Sequence, residues 1–405
     1  YSPRYHLGYK QISGSLLSGV EIQELTFQEE LLIDHLKIGW NPVALLYKRI
    51  SLTHLEASGL HVENISSTAQ KLLTQKTKEN EDVLVIPFSS IGVEALRLTI
   101  NPFEESGIRF KDGALEGKGI VYYGESIDID EVFLSIDSNL TTIELNGGID
   151  DKEIKVQELK ILNIDTLALE DVIKKMISIR LQEKIVEQVE PEIEDYRAGR
   201  ENFIPKSVSI DSAMVTLKAA DHAQVRLNQG EMRVDSIKAD IYKMIESQPD
   251  TVQVGNLFLL IDTNLSKLAL DSTLEDETIT VESFSLHEID ALAWTKILGS
   301  LKKDQTLHYK NVEMNNTIAS MFPKRLHLKK VDTSLKSLSY DPVFVHSAAL
   351  DASNVVLDIA TLTAQSGTFN TGVVSNFASL SQHGVIKENH IKSQGHITAH
   401  QALFE

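Results

Sequence analysis

The chain has no cysteine, which excludes disulfide scaffolds, cysteine-ligated zinc, iron–sulfur clusters and thiol catalysis and is compatible with an oxidising compartment. Basic residues are scarce: 39 Lys+Arg stand against 58 Asp+Glu, a net charge of −19. Nucleic-acid binding is driven by cations displacing phosphate counterions, so no nucleic-acid partner is expected, nor is a polybasic membrane footprint. Aromatics make up only 6% of the chain against 42% hydrophobic residues overall, so any apolar surface is mainly aliphatic. No run approaches the roughly 18 apolar residues that span a bilayer, and no signal peptide is recognisable. The chain opens on Tyr1 rather than Met, and the expectation is a fragment whose anchor lies outside it.

Catalytic signatures are also missing. There is no G-x-S-x-G, no Walker A loop and no G-x-G-x-x-G, and Ser89, Ser90 and Ser135 lack a His or acid at motif spacing. The acidic pairs Glu29-Glu30, Glu104-Glu105, Asp150-Asp151 and Glu194-Asp195 are read as solvated turns, because adjacent strand residues point to opposite faces. His396 and His400 share a strand face but stand about 13 Å apart at the usual rise, and His383 and His390 are scattered. The expectation is a protein that is not an enzyme, with no cofactor and no metal.

What the sequence does carry is period-2 alternation, the pattern of half-buried strands. It places one apolar face on Leu96, Leu98, Ile100, Ile108, Phe110, Ile127, Ile129, Leu134, Ile136, Ile143, Leu145, Ile154 and Val156. It continues on Val208, Ile210, Val215, Leu217, Val225, Leu227, Val252, Val254, Leu257, Leu259, Ile261, Leu268, Leu270, Ile279 and Val281, and then on Leu326, Leu328, Val343 and Val345. Between these runs, Lys111-Asp112-Gly113, Asn146-Gly147-Gly148, Asn228-Gln229-Gly230 and Asp341-Pro342 read as turns, giving a meander of short strands.

Three helices interrupt the pattern. Asn41 is placed to cap a short one, with Pro42 at its first position. A second runs from the N-cap Asp165 toward Pro191, with two apolar stripes suited either to a lid or to covering a sheet edge. A third opens at Asp290 and ends near Gly299. Ser66 to Asp82 is polar and reads as a linker.

Val132–Ile173 aligns without a gap on Leu257–Leu298 with 14 identities in 42 positions, against roughly two or three expected from average residue usage. Pro87, Pro205 and Pro323, each before a strand, stand 118 positions apart. The chain is therefore divided into N-terminal strands with a short helix and linker (1–82), a first β repeat with its helix (83–200), a second (201–301) and a third, incomplete one (302–405), with a period of about 120 residues.

A resemblance enters at residues 11–62. Gly14-x-Leu16-x-x-Gly19, a strand ending in Trp40-x-Pro42 before Leu45-Leu46, and a strand ending on Gly59, Leu60 and Val62 occur in that order. This stretch resembles the start of the periplasmic part of AsmA/TamB-like proteins, over about an eighth of the chain; the helices from Asp165 and Asp290 match no motif of that family. The resemblance implies a periplasmic body anchored to the inner membrane by a preceding helix, phospholipid as cargo, kinship with chorein-type bridge proteins and an outer-membrane barrel partner. It also implies the fold class: mainly β, an elongated antiparallel sheet curled into an open half-pipe (β-taco) with interspersed helices. The apolar face above would then be the lipid-binding groove. Two other readings are carried beside it: an assembly factor for outer-membrane or secreted β-proteins that acts by strand augmentation, and a passive envelope scaffold whose apolar face is packed internally.

Overall fold

The computed structural model describes residues 7–68, 89–173, 205–241, 252–295 and 325–399, save 16, 18, 67, 106, 124, 125, 223, 224, 276, 277, 341, 342, 359–362 and 389. They form 23 strands of one open mixed sheet, with short helical segments at 42–47, 62–66, 166–173 and 291–295. In chain order the strands are β1 Leu7–Gly8, β2 Gln11–Ser15, β3 Gly19–Phe27, β4 Glu30–Trp40, β5 Arg49–Leu60, β6 Ser90–Ile100, β7 Phe103–Glu105, β8 Ile108–Tyr122, β9 Ile127–Ser138, β10 Thr142–Asp150 and β11 Glu153–Ile164. Then come β12 Ser207–Leu217, β13 Ala220–His222, β14 Val225–Asp240, β15 Val252–Thr263, β16 Lys267–Glu275, β17 Thr278–Ile289, β18 Arg325–Leu335, β19 Leu338–Tyr340, β20 Val343–Asp358, β21 Thr363–Ser375, β22 Ala378–Lys387 and β23 His390–Ala399. The chain divides into two compact units, Tyr1–Asp211 and Ser212–Glu405, with the division inside β12.

Most neighbours in the sheet are antiparallel hairpin partners. Gln28 and Glu29 (φ 48° and 72°) close β3/β4, and Asp151 and Lys152 (φ 46° and 67°) close β10/β11. Both are two-residue turns with two left-handed residues, whose twist matches that of the flanking strands. The expectation of an antiparallel sheet needs correction at two joins among the described residues. β5 pairs parallel with β6 in the first unit, and β17 pairs parallel with β18 in the second. Parallel neighbours need a connection of a dozen or more residues, and residues 61–89 and 290–324 supply it.

The glycine clusters at 111–113, 146–148 and 228–230 are not turns. They lie inside β8, β10 and β14, where the ladder shifts register between Phe110 and Asp112, Asn146 and Gly147, and Leu227 and Gln229. Their glycines allow close approach: a Cβ on Gly147 would stand 2.5 Å from the Lys155 carbonyl oxygen, and one on Gly230 would stand 2.6 Å from Leu217 Cδ1. A bulge bends a strand where a turn would end it, so the strands run longer than the alternation alone suggests. Asp341-Pro342, Pro87, Pro323, Glu194-Asp195 and His400 lie outside the described residues, as does most of the linker.

One turn recurs three times. Ser138 Oγ donates to the Thr141 carbonyl at 2.9 Å, while the Asn139 side chain accepts from the Arg109 N–H at 2.8 Å. Thr263 and Asn264 do the same toward Ser266 and Arg226, and Ser375 and Asn376 toward Ala378 and Phe344. In the first two copies the buried Leu140 and Leu265 offer their carbonyls to the Asp165 and Asp290 N–H groups, each at 2.8 Å. Asp165 and Asp290 then cap the helices at 166–173 and 291–295 through Ala168 and Ala293 at 3.0 and 2.9 Å, as the sequence predicts. The helix at 62–66 has no counterpart in the sequence reading; Val62 belongs to it rather than to β5.

Candidate functional site: an aliphatic sheet face

Residues paired directly across a ladder share a face, so the register shows which apolar positions converge. In the first unit, one row runs Ile12, Ile22, Leu36, Ala57, Leu98, Leu115, Leu134, Leu145 and Leu159 from β2 to β11. On one side of it lies Ile33, Leu60, Ile100, Gly113, Ile136, Ile143 and Ile161. On the other lies Val20, Ile38, Leu55, Leu96, Gly117, Val132, Gly147 and Val156. A fourth row follows as Leu52, Val93, Ile120, Ile129, Ile149 and Ile154, on the same side because β10 keeps a two-residue step through Ile143, Leu145, Gly147 and Ile149. The nine-strand row extends roughly 40 Å at the usual strand spacing.

The second unit carries matching rows. They are Gly230, Ile261, Leu268 and Leu286; Met232, Leu259, Leu270, Phe284 and Val331; Val234, Leu257, Ser272, Val281 and Leu328; and Ile237, Val254, Leu274, Ile279 and Leu326. Beyond β17 the first of these continues as Thr333, Leu350, Thr371 and Gln382, so the aliphatic lane narrows there.

Of the face read from alternation, most residues fall on these rows. Ile108, Phe110, Val225, Leu227, Val343 and Val345 sit instead where the short strands β7, β13 and β19 pair, with Phe110 stacked on Phe103 at 4.4 Å between ring centroids. Ile127 pairs with Tyr122 beyond the fourth row, Val252 pairs with Ala239, and Val208, Ile210, Val215 and Leu217 lie on β12. Alternation leaves out the row residues of β2–β5, then Val93, Leu115, Ile120, Val132, Ile149, Leu159 and Ile161, and in the second unit Met232, Val234, Ile237, Leu274, Phe284, Leu286 and Val331. The extra residue of each bulge shifts the alternation by one, so Leu159 and Ile161 fall out of phase with Ile154 and Val156. The repeat alignment, which sets Leu159 opposite Phe284 and Ile161 opposite Leu286, holds the signal that would have found them.

The rows are only partly buried. Ala57, Val156, Val234 and Val281 are buried at 3%, 8%, 4% and 3% exposure, most of the other row residues are half-buried, and no large side chain among the described residues falls below 2%. The opposite face is charged, with Arg97–Glu116 at 3.4 Å, Lys118–Glu131 at 2.6 Å and Lys160–Glu158 at 2.7 Å. Such solvent-facing pairs add little stability, but they keep that face wet.

The acidic pairs serve as turn and ion-pair groups: Glu104 meets Arg109 at 3.3 Å, Asp150 meets Lys155 at 3.1 Å and Asp151 meets Lys206 at 2.6 Å. Among the described residues no three His, Asp or Glu side chains gather as a metal site requires, and no helix is long and apolar enough to cross a membrane. A cleft of about 760 Å³ lies at residues 41–51, 89–92 and 121–123, and none of the alternating face residues lines it.

At the far end of β4, β5 and β6, Asp34 accepts from Asn101 Nδ2 at 3.0 Å and meets His61 Nε2 at 3.0 Å. The Asn101 amide, then His61, hold the Asp34 carboxyl below its ordinary pKa. A carboxyl depressed in the folded state adds stability that is complete above its unfolded pKa, about 3.9, and is lost as pH falls through the folded value. Asp34→Asn is therefore expected to lower the urea midpoint at neutral pH, and its difference from wild type should shrink below about pH 4. A difference independent of pH would remove the network from the stability of this join.

The chain matches no protein-family model, and no curated protein matches it significantly.

Proposed function

We propose that this chain is a non-enzymatic lipid carrier of the AsmA/TamB-like kind, which shields phospholipid acyl chains on its aliphatic sheet face and moves them between inner and outer membranes. In this reading the sheet curls into a half-pipe lengthened by repeats of about 120 residues. The body is periplasmic and held at the inner membrane by a helix outside this sequence, with an outer-membrane barrel as its partner. The observation that carries the proposal is the set of four apolar rows, continuous over β6 and β8–β11 in the first unit and, save for Ser272, from β14 to β17 in the second, where three of them go on to β18. Each methylene removed from water gains about 0.8 kcal/mol. A bilayer's hydrocarbon core is about 30 Å across both leaflets, so a row of roughly 40 Å exceeds one acyl chain. The incomplete burial of the rows favours a lipid-covered face over a scaffold packed internally.

The strand-augmentation reading has its own support. β23 pairs only with β22 among the described residues, and its Ile391 and Ile397 are 66% and 70% exposed. That edge would offer backbone groups to an extended peptide.

Native mass spectrometry with lipid extraction, on protein purified from a Gram-negative host, separates these readings. Phospholipid in more than stoichiometric amount is the expected result. Lipid-free protein that captures unfolded β-barrel peptides would overturn it in favour of the assembly factor.

A further inference from the structure

The short 3₁₀ helix Pro42–Tyr47 leaves the side chains of Val43, Leu45, Leu46 and Tyr47 exposed. None of its residues is buried, and Leu46 and Tyr47 are 82% and 72% exposed. The turn is fixed by its caps and its own backbone. Asn41 Oδ1 accepts from the Val43 N–H at 3.1 Å, and Lys48, left-handed at φ 53°, closes the other end with its N–H to the Leu45 carbonyl at 3.0 Å. Ser89, just before β6, donates its N–H to the Lys48 carbonyl at 2.9 Å and tethers the turn to the sheet. Leu46 and Tyr47 are therefore not needed for the geometry that presents them.

Across the cleft stands Tyr123, 55% exposed. Lys48 and Arg49 follow directly, both exposed, and no ion pair among the described residues engages either side chain. In a chain of net charge −19, two cations with no ion pair among the described residues, beside protruding Leu and Tyr, are a local reversal of sign. Tyr rings settle at the headgroup level and Lys and Arg reach outward from there, so this composition fits a bilayer interface. A few side chains on one turn fall short of the roughly 800 Å² per partner of a specific protein interface. Reversible bilayer binding needs only a small apolar insertion aided by attraction to anionic lipid.

We infer that the Pro42–Tyr47 turn, with Tyr123, Lys48 and Arg49, is a membrane-contacting tip that inserts Leu46 and Tyr47 into the surface of a bilayer bearing anionic headgroups. The inference is independent of the lipid-carrier reading, because Leu46, Tyr47, Lys48, Arg49 and Tyr123 lie on none of the four rows.

Its test is co-sedimentation of the 405-residue chain with vesicles of phosphatidylcholine, with and without phosphatidylglycerol. Wild type should sediment with the anionic vesicles, less with the neutral ones, and less again as salt screens the cations. Leu46→Glu/Tyr47→Glu, folded by circular dichroism, should bind roughly tenfold more weakly or worse. Lys48→Gln/Arg49→Gln should lose the preference for phosphatidylglycerol. The Leu46→Glu/Tyr47→Glu variant should also keep whatever lipid wild type co-purifies. Wild type remaining in the supernatant, or sedimenting no better than that variant, overturns the inference and leaves the patch to a protein partner. Joint loss of co-purified lipid and vesicle binding overturns it too, by tying vesicle binding to the aliphatic face.

Discussion

Leu134→Asp is expected to lose most co-purified phospholipid while remaining folded, and Phe133→Asp, one residue away, is expected to keep it. Leu134 stands inside the longest aliphatic row, directly opposite Leu115 on β8 and Leu145 on β10. A carboxylate against acyl chains at that point costs about 3 kcal/mol on insertion scales, roughly a hundredfold in occupancy. Phe133 faces the other way. It pairs with Glu116 and Asn146, is 41% exposed, and shares its side of the sheet with Arg97. Ile261→Asp, opposite Gly230 and Leu268, should repeat the loss in the second unit. The measurements are phosphate content per protein after extraction and far-ultraviolet circular dichroism. Equal lipid loss in the Phe133 and Leu134 variants would remove the face from the explanation. Unfolding of Leu134→Asp and Ile261→Asp would mean that the rows are packed core, as the scaffold reading requires.

Much of this architecture was legible because strand chemistry is local. Alternation, the Asn41 cap before Pro42 and the paired caps Asp165 and Asp290 depend on neighbours a few residues away, and the structure realises each of them. The parallel joins depend on where a long connection returns the chain, and no periodicity encodes that. The glycine clusters misled for a different reason: Asn-Gly-Gly is the composition of both a hairpin turn and a bulge, and only the partner strand decides between them. At Asn146-Gly147 that partner is β11, which contributes one extra residue. The third copy of the recurring turn was hidden because Ser375-Asn376-Phe377-Ala378 shares only its first two residues with Ser138-Asn139-Leu140-Thr141. The first two residues supply the side-chain bonds, whereas the last two contribute backbone groups that any sequence offers. The face itself was half visible: alternation found residues within strands, while the rows exist only through register.

The two units also place a glycine on opposite sides of the same cross-strand contact, and this predicts a rescue. In β8, Gly119 adopts φ 60° and lies across from Asp130 of β9. At the matching place in the second unit the left-handed residue is Ser236 of β14, φ 65°, and the residue across from it is Gly255 of β15. A Cβ on Gly119 would stand 1.9 Å from Asp130 Oδ2 and 2.9 Å from its Cβ, so turning the carboxylate aside does not clear the space. A Cβ on Gly255 would stand 2.3 Å from the Asp235 carbonyl oxygen. In the first unit the obstacle is therefore the Asp130 side chain, whereas in the second it is backbone. Gly119→Ser adds left-handed strain of about 1–2 kcal/mol to that clash, for a total near 3 kcal/mol. Gly119→Ser/Asp130→Gly transplants the second unit's arrangement and removes the clash but not the left-handed strain, so it should lose about 1–2 kcal/mol less than the two single variants together, the new strand glycine itself costing about 1 kcal/mol. The urea midpoints of wild type, both single variants and the double variant form a cycle with an expected favourable coupling above about 1 kcal/mol. Additive losses would show that Asp130 yields without cost and that the exchange of glycines between the strands has no packing cause.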